Sequence, residues 1–142
     1  DLIEQKQKWP ESVIVYTDGA SRGNPGPAAI GIHVTDMDSQ TIAEHGEVLG
    51  VQTNNFAEYT AVIRALELSL AQGVKNVILR SDSELMVKQM TGVYKVKSDA
   101  ILPLYDRVRE LLSRFSSVTF EHVRRENNRV ADRLANEALD RA

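Results

Sequence analysis

The chain has 142 residues, 42% of them hydrophobic, a formal net charge of −3 and no cysteine. That length suits one ordinary core and not two, no stretch approaches the ~18 apolar residues of a membrane span, and no secretory leader pattern is present. Without cysteine there are no disulfides or thiolate metal sites, so a metal would need oxygen or imidazole ligands; the acidic balance argues against a strongly basic nucleic-acid binder but not against local phosphate-binding patches. The expectation is a single soluble, cytoplasmic domain away from membranes. The chain opens on Asp1 rather than a methionine, which leaves room for an upstream domain.

Residues 1–12 are polar, lack periodicity and contain Pro10, and read as a flexible leader or linker. Residues 13–142 then form the domain. "VIVYTD" from Val13 is β-branched and aromatic, as a strand buried on both faces is. Ala28 to Asp36 and Thr41 to Gly50 read as two further strands joined by a polar turn. The period then changes: Phe56, Tyr59, Ile63, Leu66 and Leu70 recur at steps of three and four, the stripe of an amphipathic helix that Gly73 is placed to stop. Asn76 to Asp82 returns to strand, Ser83 to Met90 to helix, and Leu104, Val108, Leu111, Leu112 and Phe115 mark another helix. Ser117 to Val123 is a fifth strand and Asn128 to Arg141 a last helix. The order βββαβααβα implies a mixed sheet with parallel members and helical cover.

On this map four acids stand at element ends. Asp18 ends the first strand, Glu58 opens the first long helix, Asp82 ends the fourth strand, and Asp132 lies in the first turn of the last helix. Glu58 also fits a capping box with Asn55, and Asp132 fits a response to the helix dipole. Asp18 and Asp82 have no comparable structural reason to follow "VIVYT" and "VILRS". In sheets with parallel neighbours, ligands gather at the carboxyl ends of strands. Two carboxylates emerging side by side repel unless one takes up a proton or a cation intervenes. Four acids around one point suit hard cations such as Mg²⁺ or Mn²⁺, and a pair of such ions about 3.5–4 Å apart serves in-line phosphoryl displacement. The reaction class so indicated is phosphodiester hydrolysis.

"YTDGASRGNPGPAAIG", "TNNFAEYTAVIRAL", "LRSDSELMVKQM" and "RRENNRVADRLANEAL" resemble, in order and at compatible intervals, the four sequence blocks of type 1 ribonuclease H, over about Val13 to Ala138. The resemblance implies the α/β ribonuclease H-like fold, a five-stranded mixed sheet in the order 3-2-1-4-5 with helices on both faces. It also implies an endonuclease that uses two Mg²⁺ ions, with Mn²⁺ as substitute, to cut the RNA strand of RNA·DNA hybrids; a monomer is the expectation, although the sequence itself is silent on oligomeric state. The metal-binding acids carry over to Asp18, Glu58, Asp82 and Asp132. The hybrid contacts carry over to Asn24, Asn54 and Asn55, a DNA-phosphate contact to Thr53, and a further polar contact to Asn128. The alternatives are a catalytically weak hybrid-binding module and a related integrase- or resolvase-type nuclease; the "GNPGP" and "TNN" blocks argue against the second.

The chain departs from the family's pattern in three places. The loop before the last acid reads "VRRENN" and lacks the histidine that many members carry there; Arg124, Arg125 and Glu126 are the auxiliary groups available, while His122 falls inside the predicted strand and reads as structural. Glu84 stands where many members have glutamine. "TGVYKVKSDAILP" bridges the middle helices directly, so the chain resembles the compact branch without the basic protrusion, with Lys88, Lys95 and Lys97 as a smaller phosphate-binding patch.

Overall fold

The computed structural model describes residues 9–142. Most of the expected leader, residues 1–8, lies outside them. The elements are β1 (Ser12–Ser21), β2 (Gly26–Thr35), β3 (Thr41–Gln52), α1 (Asn54–Ala71), β4 (Asn76–Ser81), α2 (Glu84–Met90), α3 (Leu102–Leu112), β5 (Ser117–His122) and α4 (Arg129–Arg141), in the order read from the sequence. A single turn of 3-10 helix at Arg125–Asn127 precedes α4. The five strands form one sheet, β3-β2-β1-β4-β5. β1, β2 and β3 are antiparallel, and β4 runs parallel to both β1 and β5.

Helices cover both faces. Val13 and Val15 of β1 and Ile30, Ile32 and Val34 of β2 bury against Tyr59, Val62 and Leu66 of α1 and against Val108 and Leu111 of α3. The opposite face carries α4 on small residues, with Ala29 packed among Ala135, Ala138 and Leu139. This second contact is close because Gly31 and Gly46, partners in the β2–β3 ladder, carry no side chain under the helix. A Cβ on Gly31 would fall 1.9 Å from the Ala131 carbonyl oxygen. Gly31 also pairs with Asp18, so the gap that admits the first turn of α4 opens beside that acid.

Three local expectations need correction. β1 does not end at Asp18: its parallel pairing with β4 stops at Thr17↔Ser81, but its antiparallel pairing with β2 continues to Ser21↔Ala28. Asp18 is therefore the first residue beyond its parallel partner, held in strand geometry by β2. The cap of α1 is Thr53, whose Oγ1 accepts from the Phe56 amide at 3.1 Å, and not an Asn55–Glu58 box. The third helix likewise stops at Leu112, before Phe115. Between α2 and α3, residues 91–101 contain no further helix, so no basic protrusion stands there.

Candidate active site

Two strands and a helix deliver acids to one point. Asp18 stands beside the end of β4, Asp82 follows that end directly, and Glu58 looks across from the second turn of α1. One carboxylate oxygen from each of the three lies within 4.8 Å of the others, little more than twice the ~2.1 Å of a magnesium–oxygen bond. Asp18 and Glu58 are each 5% exposed. Glu58 is fixed by the Gly19 amide, which donates to its Oε1 at 3.0 Å. That bond depends on a bare backbone, because a Cβ on Gly19 would lie 2.4 Å from Ala57 C and from Glu58 N.

The electrostatics are those of crowded, uncompensated acids. Burial, then the negative charge of Asp82 and the contact with Asp132, together push the Asp18 carboxyl up to about 8. Burial, then the charges of Asp18 and Asp82, raise Glu58 well above the carboxylate range. Burial raises Asp82 as well, against a hydrogen bond from Asn128 and the positive charge of Arg125. The guanidinium of Arg125 opposes the shift at all three groups. An all-oxygen donor set that strains toward protonation is what a hard divalent cation relieves.

Asp132, in the first turn of α4, bears on Asp18 but stands outside the set of three carboxylates that lie within 4.8 Å of one another; its own side chain accepts from Asn136 Nδ2 at 3.3 Å. The other predicted residues divide. Asn24, Thr53 and Asn54 are exposed together on the rim, and Asn24 Oδ1 accepts from the Asn54 amide at 3.0 Å, tying the β1–β2 loop to the start of α1. Asn55 is half-buried beside them. Arg124, Arg125 and Glu126 line an adjoining cleft of about 500 Å³ together with Glu58 and Asp82.

Asn128 lies elsewhere than a rim residue would. It is 1% exposed, and its Nδ2 donates to the Thr17 carbonyl at 2.9 Å, bracing β1 one residue before Asp18. One group escapes the sequence reading. The Gly19 amide is visible only once α1 is folded against β1, 39 residues away. His122 lies in β5, as the sequence indicates, and is exposed in the wall of the acid cleft.

A family model described as reverse transcriptase-like matches residues 16–138. The chain is 47% identical over 130 residues to ribonuclease HI of Halobacterium salinarum, covering 92% of this chain and 65% of that protein. A crystal structure of RNase H1 from the same archaeon superposes with a TM-score of 0.90 at 46% identity, covering 92% and 99% of the two chains. LC11-RNase H1, solved in complex with an RNA/DNA hybrid, superposes at 0.86 with 44% identity, covering 91% and 97%. The bifunctional protein Rv2228c of Mycobacterium tuberculosis is 43% identical over 131 residues, 92% of this chain and 36% of that protein. The chain thus spans about two thirds of the length of the first curated relative and about a third of the last.

Proposed function

The chain belongs to the ribonuclease H family, and from that premise we propose that it is an endonuclease hydrolysing the RNA strand of RNA·DNA hybrids to 3′-hydroxyl and 5′-phosphate ends. The observation that carries the reading is the convergence of Asp18, Glu58 and Asp82 within 4.8 Å, in a chain 44% identical to one solved with such a hybrid bound.

Asp18, Glu58, Asp82 and Asp132 would hold two Mg²⁺ ions, with Mn²⁺ as substitute, which would supply positive charge for the reacting phosphate and lower the pKa of water. The protein's part is positioning. The Gly19 amide keeps one Glu58 oxygen turned to the cluster, and Asn128 holds the strand that presents Asp18. Asn24, Thr53, Asn54 and Asn55 form a polar rim for the hybrid backbone; amides that donate and accept suit the 2′-hydroxyl, which separates RNA from DNA. Arg124, Arg125 and Glu126 are auxiliary groups at the cleft, with Arg125 setting the local field. The protein works as a monomer in the cytoplasm.

Incubation with labelled RNA·DNA, RNA·RNA and DNA·DNA duplexes in Mg²⁺ is expected to give cleavage of the hybrid alone. Asp18→Asn should lose on the order of 10³-fold or more in rate. Cutting of DNA·DNA would point instead to an integrase- or resolvase-type nuclease, and hybrid binding without cutting to a binding module.

A further inference from the structure

His122 closes β5 in register with Ser81, the residue before Asp82. The Val123 amide donates to the Ser81 carbonyl at 2.9 Å, carrying the parallel pairing one step further and fixing the strand end against β4. The imidazole is exposed and forms part of the wall of the cleft that Glu58 and Asp82 share. Its positive form bears electrostatically on Asp82 and on Glu84, yet it stands outside the set of carboxylates close enough to share an ion. It is thus next to the acid centre and free of it.

Phosphodiester hydrolysis gives such a group a task. Water bonds to phosphorus, the bond from phosphorus to the ribose 3′-oxygen breaks, and that oxygen leaves with the electron pair and must gain a proton. The charged groups that line the cleft beside His122 are Asp82 from the end of β4, Glu58 from α1, and Arg124, Arg125 and Glu126 from the segment after β5; Glu84, at the start of α2, also interacts electrostatically with the ring. Guanidinium holds its protons across the working range, and carboxylates engaged with cations accept rather than donate. Imidazole is the side-chain type that exchanges a proton between pH 5 and 8, and His122 is the only one lining this cleft among the described residues.

We propose that His122 is a catalytic residue, the proton donor to the departing 3′-oxygen. The ring N–H bond breaks as the O3′–H bond forms, the neutral ring is reprotonated from solvent, and the surplus proton of the attacking water passes to solvent. The inference rests on the hybrid-cleaving reading above.

Two hybrids test it, one natural and one with sulfur in place of the 3′-oxygen at a single linkage, whose thiolate departs without a proton. With Mn²⁺ present, His122→Ala is expected to lower kcat on the natural hybrid about 100-fold, with KM, thermal midpoint and hybrid affinity in EDTA unchanged. On the sulfur-bridged hybrid, variant and wild type should turn over alike. An equal deficit on both substrates, a change in KM alone, or no deficit on the natural hybrid would overturn the role for His122 while leaving the enzyme assignment standing. A wild-type protein inactive on both would overturn the assignment and this inference together.

Discussion

Gly19→Ala is expected to lose about 100-fold or more in kcat on the hybrid, although the added methyl touches no predicted metal ligand's carboxylate. The new Cβ would meet Ala57 C and Glu58 N at 2.4 Å. Both are backbone atoms inside α1 and cannot rotate away. The helix must then move outward, and Glu58 goes with it, losing the Gly19 hydrogen bond and its place beside Asp18 and Asp82. A misplacement of ~1 Å at a reacting centre costs on the order of 100-fold, and overpacking of this kind costs ~1–3 kcal/mol of stability. Turnover and thermal melting of the same variant check both effects. Wild-type turnover would mean that the position of Glu58 does not matter to the chemistry.

The second large effect concerns pH and the metal-free protein. The Asp18 carboxyl sits at about 8 when folded against an ordinary value of 3.8, so between those limits the folded state binds more protons than the unfolded one. Stability is then highest below about pH 4 with respect to this group, and falls as pH rises through about 8. Glu58 and Asp82 are shifted in the same direction. His33 acts oppositely, since burial lowers it from 6.5 and its contribution grows as pH rises toward that value. Asp18→Asn isolates the carboxylate. In EDTA the wild-type melting temperature should fall from pH 5 to pH 9 more steeply than that of Asp18→Asn, and the variant should be the more stable protein at pH 9. Parallel curves would show that Asp18 does not carry the strain.

Much of this site is legible in the sequence because its acids stand at or near the points where the hydrophobic period changes, Asp18 and Asp82 after apolar runs and Glu58 and Asp132 near helix starts. The order of elements follows from the same periods, and the sheet order from the resemblance of four blocks. What the sequence hides is set by distant pairing. β1 runs on past Asp18 because Gly19, Ala20 and Ser21 find β2 partners, which small residues after an acid do not announce. Asn128 reads as a surface polar residue ahead of a helix, yet a carbonyl 111 positions away buries it. The cap of α1 passes to Thr53 because Glu58 is drawn to Gly19 instead of back to its own helix start. His122 reads as an interior strand residue because period-two alternation does not reveal where the sheet opens into a cleft.

The most direct measurement is calorimetric titration of Mg²⁺ into the metal-free protein at pH 7 in buffers of different ionisation enthalpy. If the buried acids are reserved for cations, each binding event displaces protons from Asp18 and its neighbours, the apparent heat depends on the buffer, and Asp18→Asn removes most of that dependence. Binding with no proton release, or release undiminished in Asp18→Asn, would contradict it.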